Sequence, residues 1–297
     1  MQISFLKYKK IYFVFSGILV LFSLVSLAVF GLEAGIDFTG GSILEVEYKD
    51  SRPSNEEIKG ALANLGLKEI RVQPSGEQGV ILRMKDISEE THQKILEELR
   101  KDNELEELKF ESIGPVIGRE LKNKTKVVAV LAALAILIYI TFAFRKVSKP
   151  ITSWQYGVAS LLALFHDILI PLGVFAVLGK FYSVQITIPV ITALLIVIGY
   201  SINNTVVVFD RIRENLIKNR NLDFAEIVNL SLNQTLARSI NTSLTTLFVL
   251  FAIFFLGGAT LKYFSLALIL GLICGTYSSL FLASPLLVSW SKWRKRG

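Results

Sequence analysis

The sequence predicts a polytopic α-helical membrane protein with six transmembrane helices and a βαββαβ ferredoxin-like domain between helices 1 and 2. Three observations predict this. Hydrophobic residues make up 52% of the 297 and the mean hydropathy is positive, which leaves too little polar surface for an ordinary soluble fold. The apolar residues fall into six runs, near 11–30, 126–144, 153–178, 187–209, 240–257 and 263–288, and roughly 20 apolar residues suffice to cross hydrocarbon. The charges are also segregated, with residues 32–122 holding 20 of the 25 Asp+Glu against 13 of the 32 Lys+Arg, a balance of −7.

The rest of the chain holds 19 basic against 5 acidic residues, a balance of +14. The net +7 therefore averages an acidic soluble domain with a basic membrane part and gives no argument for a nucleic-acid partner. Short basic loops mark the cytoplasmic side. Here they contain Lys7, Lys9 and Lys10; Arg145, Lys146 and Lys149; Arg211, Arg213, Lys218 and Arg220; and Lys292, Arg294, Lys295 and Arg296, whereas the two remaining short loops have only Lys180 and Lys262. The expected order is a cytoplasmic N-terminus and first helix over 1–31, an external domain over 32–122, a five-helix bundle over 123–289 with a cytoplasmic loop at 210–236, and a basic cytoplasmic tail at 290–297. Ser26-Leu27-Ala28 offers a small-x-small cleavage site, but an apolar stretch of about 20 residues exceeds the roughly 7–15 of a signal-peptide core. An uncleaved anchor is expected. Cys274 is the single cysteine and lies in the sixth apolar run, so the external domain folds without a disulfide of its own.

Within that domain, Ser42–Tyr48 alternates as a strand and Ser54-Asn55-Glu56-Glu57 forms a capping box opening a helix to about Leu65. A strand near Glu69–Val72, a turn at Ser75-Gly76, a strand over Gly79–Met84, a helix from the N-cap Ser88 to about Arg100 and a strand near Leu108–Ser112 complete the order. A split pair of βαβ units of this kind makes a four-stranded antiparallel sheet with both helices on one face. The domain has no Ser/His/Asp triad, cysteine cluster or phosphate loop, and its lone His92, beside Glu89 and Glu90, reads as part of a solvated helix face. A binding or mechanical module is expected, not an enzyme, with no cofactor and no metal.

Two glycine clusters flank the domain, Gly35-Ile36-Asp37-Phe38-Thr39-Gly40-Gly41 and Gly114-Pro115-Val116-Ile117-Gly118-Arg119-Glu120. Glycine permits positive φ and close backbone approach while proline fixes φ, so both read as shaped junctions, with plain linker as the alternative. Inside the spans, a charge at membrane depth costs at least about 2.5–3.5 kcal/mol and needs a partner or water. The third run holds His166-Asp167. Helix neighbours point about 100° apart, so the two are not expected to serve one spot equally, and Asp167 is assigned to the bundle interior. The fourth run holds Asn203 and Asn204, with Asp210 some 9 Å further along the helix, at the interface. Arg238, Asn241, Thr242 and Thr245 follow i, i+3, i+4, i+7 and make one polar stripe in the fifth. Helix–helix glue is the alternative for the Ser and Thr residues, and Gly271, Gly275 and Ser279 read as close packing.

With these motifs in view, the chain resembles the SecF branch of the SecD/SecF family of protein-export membrane proteins, in the resistance-nodulation-division superfamily. The resemblance is carried by GIDFTGG at 35–41, GPVIGREL at 114–121, His166-Asp167, GYSINNTVVVFDRIREN at 199–215 and QTLARSINTSLTTL at 234–247. It implies a subunit of the bacterial inner membrane, its 32–122 domain periplasmic, that pairs with SecD. It also implies work beside the SecYEG channel, with YajC as a further partner, and use of a proton or sodium gradient to draw unfolded polypeptide outward. The family pattern has Asn-Asp-Thr in the fourth span, and that Asp, with the Arg of the fifth, is implicated in ion transport. Arg238 matches the Arg, but the acid's position is Asn204, whose amide does not titrate. Two accounts stand: the acid is SecD's, with Asn204 and Arg238 as hydrogen-bonding support, or Asp167 or His166 titrates instead. Rival functions are a small-molecule or lipid exporter of the same superfamily, which usually needs twelve spans in one chain, and a non-conducting scaffold for SecD.

Overall fold

The computed structural model describes residues 3–67, 70–101, 103–145, 150–219 and 221–294. The basic positions Lys146, Lys149, Arg220, Lys295 and Arg296, and Glu69 of the expected second strand, lie outside the described residues. The chain divides into two compact units, 34–127 and a second formed by 1–33 with 128–297.

In the first unit, a short helix α2 (Ile36–Thr39) precedes β1 (Gly41–Tyr48), α3 (Asn55–Leu62), β2 (Arg71–Ser75), β3 (Gly79–Met84), α4 (Glu89–Arg100) and β4 (Leu105–Ile113). The sheet order is β2-β3-β1-β4 with every neighbouring pair antiparallel, so each βαβ unit straddles a strand of the other. Alternation puts Leu44, Val46 and Tyr48 on one face with Val80, Leu82 and Met84. There Ile58 and Leu62 of α3 and Ile95, Leu96 and Leu99 of α4 cover them, each such side chain contributing about 1.5–3 kcal/mol. The register slips between Glu45 and Val46, whose β4 partners are Lys109 and Glu107, leaving Leu108 unpaired and half exposed. The capping box at Ser54 is complete, the Ser54 hydroxyl accepting from Glu57 N–H and the Glu57 carboxylate accepting from Ser54 N–H.

His92 departs from its expected solvated face. It is 3% exposed, stacked on Phe110 with centroids 3.8 Å apart, its Nδ1 3.0 Å from Glu89 Oε1. Its Nε2 comes within 3.2 Å of Glu107 Oε1, without hydrogen-bond alignment. The reason is helical spacing: His92, Ile95, Leu96 and Leu99 follow i, i+3, i+4, i+7 and form one buried face.

The two glycine clusters meet. Gly40 has φ of 76°, and a Cβ there would lie 2.7 Å from Pro115 Cα, while one on Gly118 would lie 2.9 Å from Gly40 N. The turn after α2 is therefore pressed, backbone on backbone, against the first turn of α5 (Pro115–Ala143). Gly35 and Phe38 are buried, and Gly114 O accepts from Gly118 N–H. Arg119 and Glu120 are exposed and do not pair with each other; Arg119 donates to Pro115 O and Glu120 pairs with Lys124.

Among the described residues six helices are long and apolar enough to cross a membrane: α1 (Lys9–Phe30), α5, whose residues from 128 belong to the second unit, α6 (Ser153–Tyr182), α7 (Ile188–Lys218), α8 (Phe224–Leu256) and a sixth made of α9 (Ala259–Ser278), a π-helical segment (Ser279–Ala283) and α10 (Ser284–Arg294). In α6, α7 and the sixth, half of the apolar window is buried, against 6% in α5, so those three form the centre. Lipid offers no hydrophobic drive between helices, and close packing rests on small residues. Accordingly the buried residues of α1 are Ser16, Ser23 and Ser26, and a Cβ on Gly173 of α6 would lie 2.5 Å from Ser23 Cα. Gly271 and Gly275 likewise sit against Val197 and Ser201 of α7.

The expected cytoplasmic loop at 210–236 is mostly helical. Residues 210–218 extend α7 and residues 224–236 open α8, which an Asp223–Glu226 capping box starts. Apolar residues hold both extensions, since Ile212, Phe224, Ile227 and Val228 are buried. The expected tail at 290–297 is helical as far as Arg294.

The unit of residues 34–127 gives two predictions. Gly40→Ala combines a positive-φ, extended backbone, a cost of about 1–3 kcal/mol, with overpacking of about 1–3 kcal/mol. Gly76, also at positive φ (69°) but with nothing within 4 Å of a Cβ, isolates the first cost, so in thermal unfolding Gly40→Ala lowers stability more than Gly76→Ala. Second, Glu57, Glu89 and Glu104 are each held below the usual carboxylate range, by hydrogen bonds from Ser54, from Gln93 and His92, and from Lys49. Depressed folded values mean stability that is present above about pH 4.3 and is lost as pH falls through them. Melting of the domain at stepwise lower pH checks the sign.

Candidate intramembrane polar site

Asp167 is fully buried in α6 and is held by three helices. Its Oδ1 lies 2.9 Å from His166 Nδ1 of the same helix, and its Oδ2 accepts from Ser201 Oγ of α7 at 2.5 Å and from Ser278 Oγ of α9 at 2.7 Å. Of the five acids outside residues 32–122, namely Asp167, Asp210, Glu214, Asp223 and Glu226, only Asp167 is buried. Pro171 stands four residues on and carries no N–H, so the Asp167 carbonyl lacks its i+4 donor as well. Hydroxyl and imidazole donors are what a carboxylate requires where water is excluded.

His166 and Asp167 do meet, against the expectation from their helical offset. Both are buried, at 3% and 0% exposure, because the side chains bend toward each other from adjoining positions. His166 lies over Tyr277, ring centroids 5.9 Å apart, and its Nε2 has no hydrogen-bond partner. Tyr277 in turn donates to Tyr12 O and accepts from Ser16 Oγ, both of α1.

The second group of expected residues lies along the α7–α8 seam and does not reach Asp167. Asn204 is buried, its Nδ2 without a partner. Asn203, Arg238, Asn241, Thr242 and Thr245 are exposed. The threonines satisfy themselves on their own helix, Thr242 donating to Arg238 O and Thr245 to Thr242 O. Asn203, Arg238 and Asn241 have no side-chain partner among the described residues. Toward the helix ends, Arg211 bridges Gln234 and Glu214, Asn215 bonds Ser231 and Gln234, and Asp210 pairs with Arg213. Of these, Asp210, Arg211, Glu214 and Gln234 border a cleft of about 280 Å³ with Arg238 on its wall.

The fold and this site define a polytopic membrane protein built round one buried acid. Two family models match the chain: protein export membrane protein SecD/SecF, C-terminal, over residues 91–293, and the SecD/SecF GG motif over residues 25–51. The protein translocase subunit SecF of Thermobaculum terrenum is 44% identical, the match spanning 97% of this chain and 94% of the relative. That of Anaerolinea thermophila is 39% identical over 100% and 98%. A crystal structure of SecDF from Thermus, described as a translocon-associated membrane protein, superposes with a TM-score of 0.85 at 35% identity, covering 98% of this chain but 39% of that one. The chain belongs to the SecD/SecF family of protein-export membrane proteins, on its SecF branch, and is a multi-pass membrane protein.

Sequence reasoning singled out Asp167 and His166 but not the two hydroxyl donors. Ser278 was legible in principle, since Gly271, Gly275 and Ser278 follow i, i+4, i+7 on the face packed against α7. Removing either hydroxyl leaves a charged acceptor one bond short, a loss of about 1.5–3 kcal/mol. Ser201→Ala and Ser278→Ala are expected each to lower thermal stability in detergent by that order. Because both donate to one oxygen, the double variant is expected to depart from additivity by more than about 0.5 kcal/mol; strictly additive losses would show the two bonds to be independent.

Proposed function

We propose that the chain serves as the SecF-type half of a two-subunit export machine in a bacterial inner membrane. In this reading both termini are cytoplasmic and the domain at 32–122 is periplasmic. The half missing from this chain is a SecD-type partner, and the pair uses a proton or sodium gradient to draw unfolded polypeptide out of the SecYEG channel, with YajC alongside.

The observation that carries the pairing is the face of Asn203, Arg238 and Asn241. These heads lie exposed on helices otherwise apolar enough to span a membrane. Lipid cannot satisfy them, so another protein's polar groups are required there. The length of the relatives supports the same reading, because a single SecDF chain contains much more than this chain matches. Asn204 cannot exchange a proton. Asp210 and Glu214 of this chain are already paired, with Arg213 and with Arg211 and Lys218, so in this reading the titrating acid at the seam is the partner's, with exposed Arg238 as its counter-charge and Asn204 in support behind it.

The test uses the chain together with its SecD-type partner in sealed vesicles. Arg238→Ala is expected to cut ion flux at least about tenfold, the order of 1.4 kcal/mol, while the two chains still copurify. Asn204→Asp is expected to restore a titratable group and shift the pH profile of flux. Wild-type flux in Arg238→Ala, or failure of the wild-type chains to copurify, would remove this reading in favour of a scaffold.

A further inference from the structure

We propose that His166 and Asp167 together form a one-proton binding site whose occupancy sets how firmly α9 is held to α6. The proposal concerns contacts inside this chain and does not rest on the pairing argued above.

With one proton on the imidazole, His166 Nδ1–H donates to Asp167 Oδ1 at 2.9 Å, and the dyad carries one negative charge. Nε2 then presents a lone pair, buried and without a partner. A proton arriving at Nε2 gives an imidazolium. Passage of the Nδ1 proton to Oδ1 then leaves a neutral imidazole, protonated on Nε2, beside a neutral carboxylic acid. One proton is taken up, the charge of the dyad goes from −1 to 0, and no other group changes. The ionisable neighbours are few. Cys274 and Tyr277 face the dyad from α9, Tyr12 is linked through Tyr277 from α1, and α7 offers only the Ser201 hydroxyl. Among the described residues no Lys or Arg pairs with Asp167, so its charge has no fixed compensation and His166 is the one group placed to supply it.

The structural consequence falls on Ser278. Oδ2 accepts two hydroxyls while it belongs to a carboxylate, and bonds to an ionised acceptor are roughly twice as strong as those to a neutral one. Once the acid is neutral that grip weakens, and Ser278 already has a second acceptor in Gly275 O at 3.3 Å. The helix leaves α geometry at the next residue. Ser279–Ala283 is π-helical, Ser279 donates to Gly275 O at 2.7 Å, and Ser284 reaches back to Ser279 O. A π segment is a costly insertion concentrated at functional positions. Its place directly after the one α9 side chain that holds the acid ties proton occupancy to the winding of this helix.

The experiment takes the full chain in lipid nanodiscs, titrated from about pH 9 to about pH 5. Infrared difference spectra are expected to show a carboxylic-acid band rising as pH falls, and Asp167→Asn is expected to lose it. Hydrogen exchange of residues 275–288, corrected for the intrinsic effect of pH, is expected to speed up several-fold over the same titration in the wild type. In Ser278→Ala it is expected to be fast at every pH while the infrared band survives. Should Asp167→Asn not fold, Asp167→Glu serves in its place, and the band is expected to move in frequency and midpoint. A band unaltered by either substitution, no band at all, or exchange of 275–288 that is indifferent to pH in the wild type would each overturn the proposal.

Discussion

Apolar helices in lipid gain little by touching one another, since the tails are as apolar as their side chains. What fixes the membrane unit must therefore be close backbone approach and internally satisfied polar groups. The Asp167 carboxylate combines the two. It draws a hydroxyl from α7 and one from α9, and those helices come near enough because α9 carries glycine at 271 and 275. A Cβ on Gly275 would stand 3.1 Å from Ser201 Cβ and 3.5 Å from Asp167 Oδ2. Small residues thus make room for the polar contact, and that contact selects which faces of three helices meet.

Elsewhere in the unit smaller contacts repeat this logic. Thr205 and Ser279 share a hydrogen bond between α7 and the π segment, Ser243 and Thr276 one between α8 and α9. The aromatic trio Phe144, Tyr156 and Phe209 fills space near the helix ends, with ring centroids 5.1–6.1 Å apart. The unit of residues 34–127 is built on a different principle. Its sheet and two helices bury a water-excluded apolar face, and a backbone-on-backbone crossing of Gly40 with Pro115 and Gly118 joins its first and last segments.

Much of this was legible in the residues. The strand over Gly79–Met84 and the helix over Glu89–Arg100 stand where alternation and the Ser88 cap place them, because those signals are local. The helices through 210–236 were misread because span length was taken from hydropathy, while α7 and α8 continue past the apolar window as amphipathic helices with Ile212 and Val228 inward. His92 was misread because the adjacent Glu89 and Glu90 outweighed the apolar ladder it belongs to. The donors to Asp167 are of another kind. Ser201 lies 34 residues and Ser278 111 residues away; spacing within α9 puts Ser278 on the packed face, but no periodicity within one helix says which acid of another it will reach.

Asn204 and Asp167 illustrate how position decides the role of a polar residue. Asn204 lies on the side of α7 that turns toward α8, a seam bordered by exposed Arg238. A neutral amide there can donate to an outside acid but adds no charge of its own. Asp167, on α6, faces α7 and α9 and is closed from solvent. A charge at that depth is tolerable only with its donors in place, so the acid and the helix arrangement that encloses it are interdependent. In this chain the α7–α8 seam carries the amide of Asn204, whereas the interior between α6, α7 and α9 holds an acid. A proton bound at Asp167 would thus be coupled to helix packing, because the oxygens that hold α7 and α9 belong to the same carboxyl.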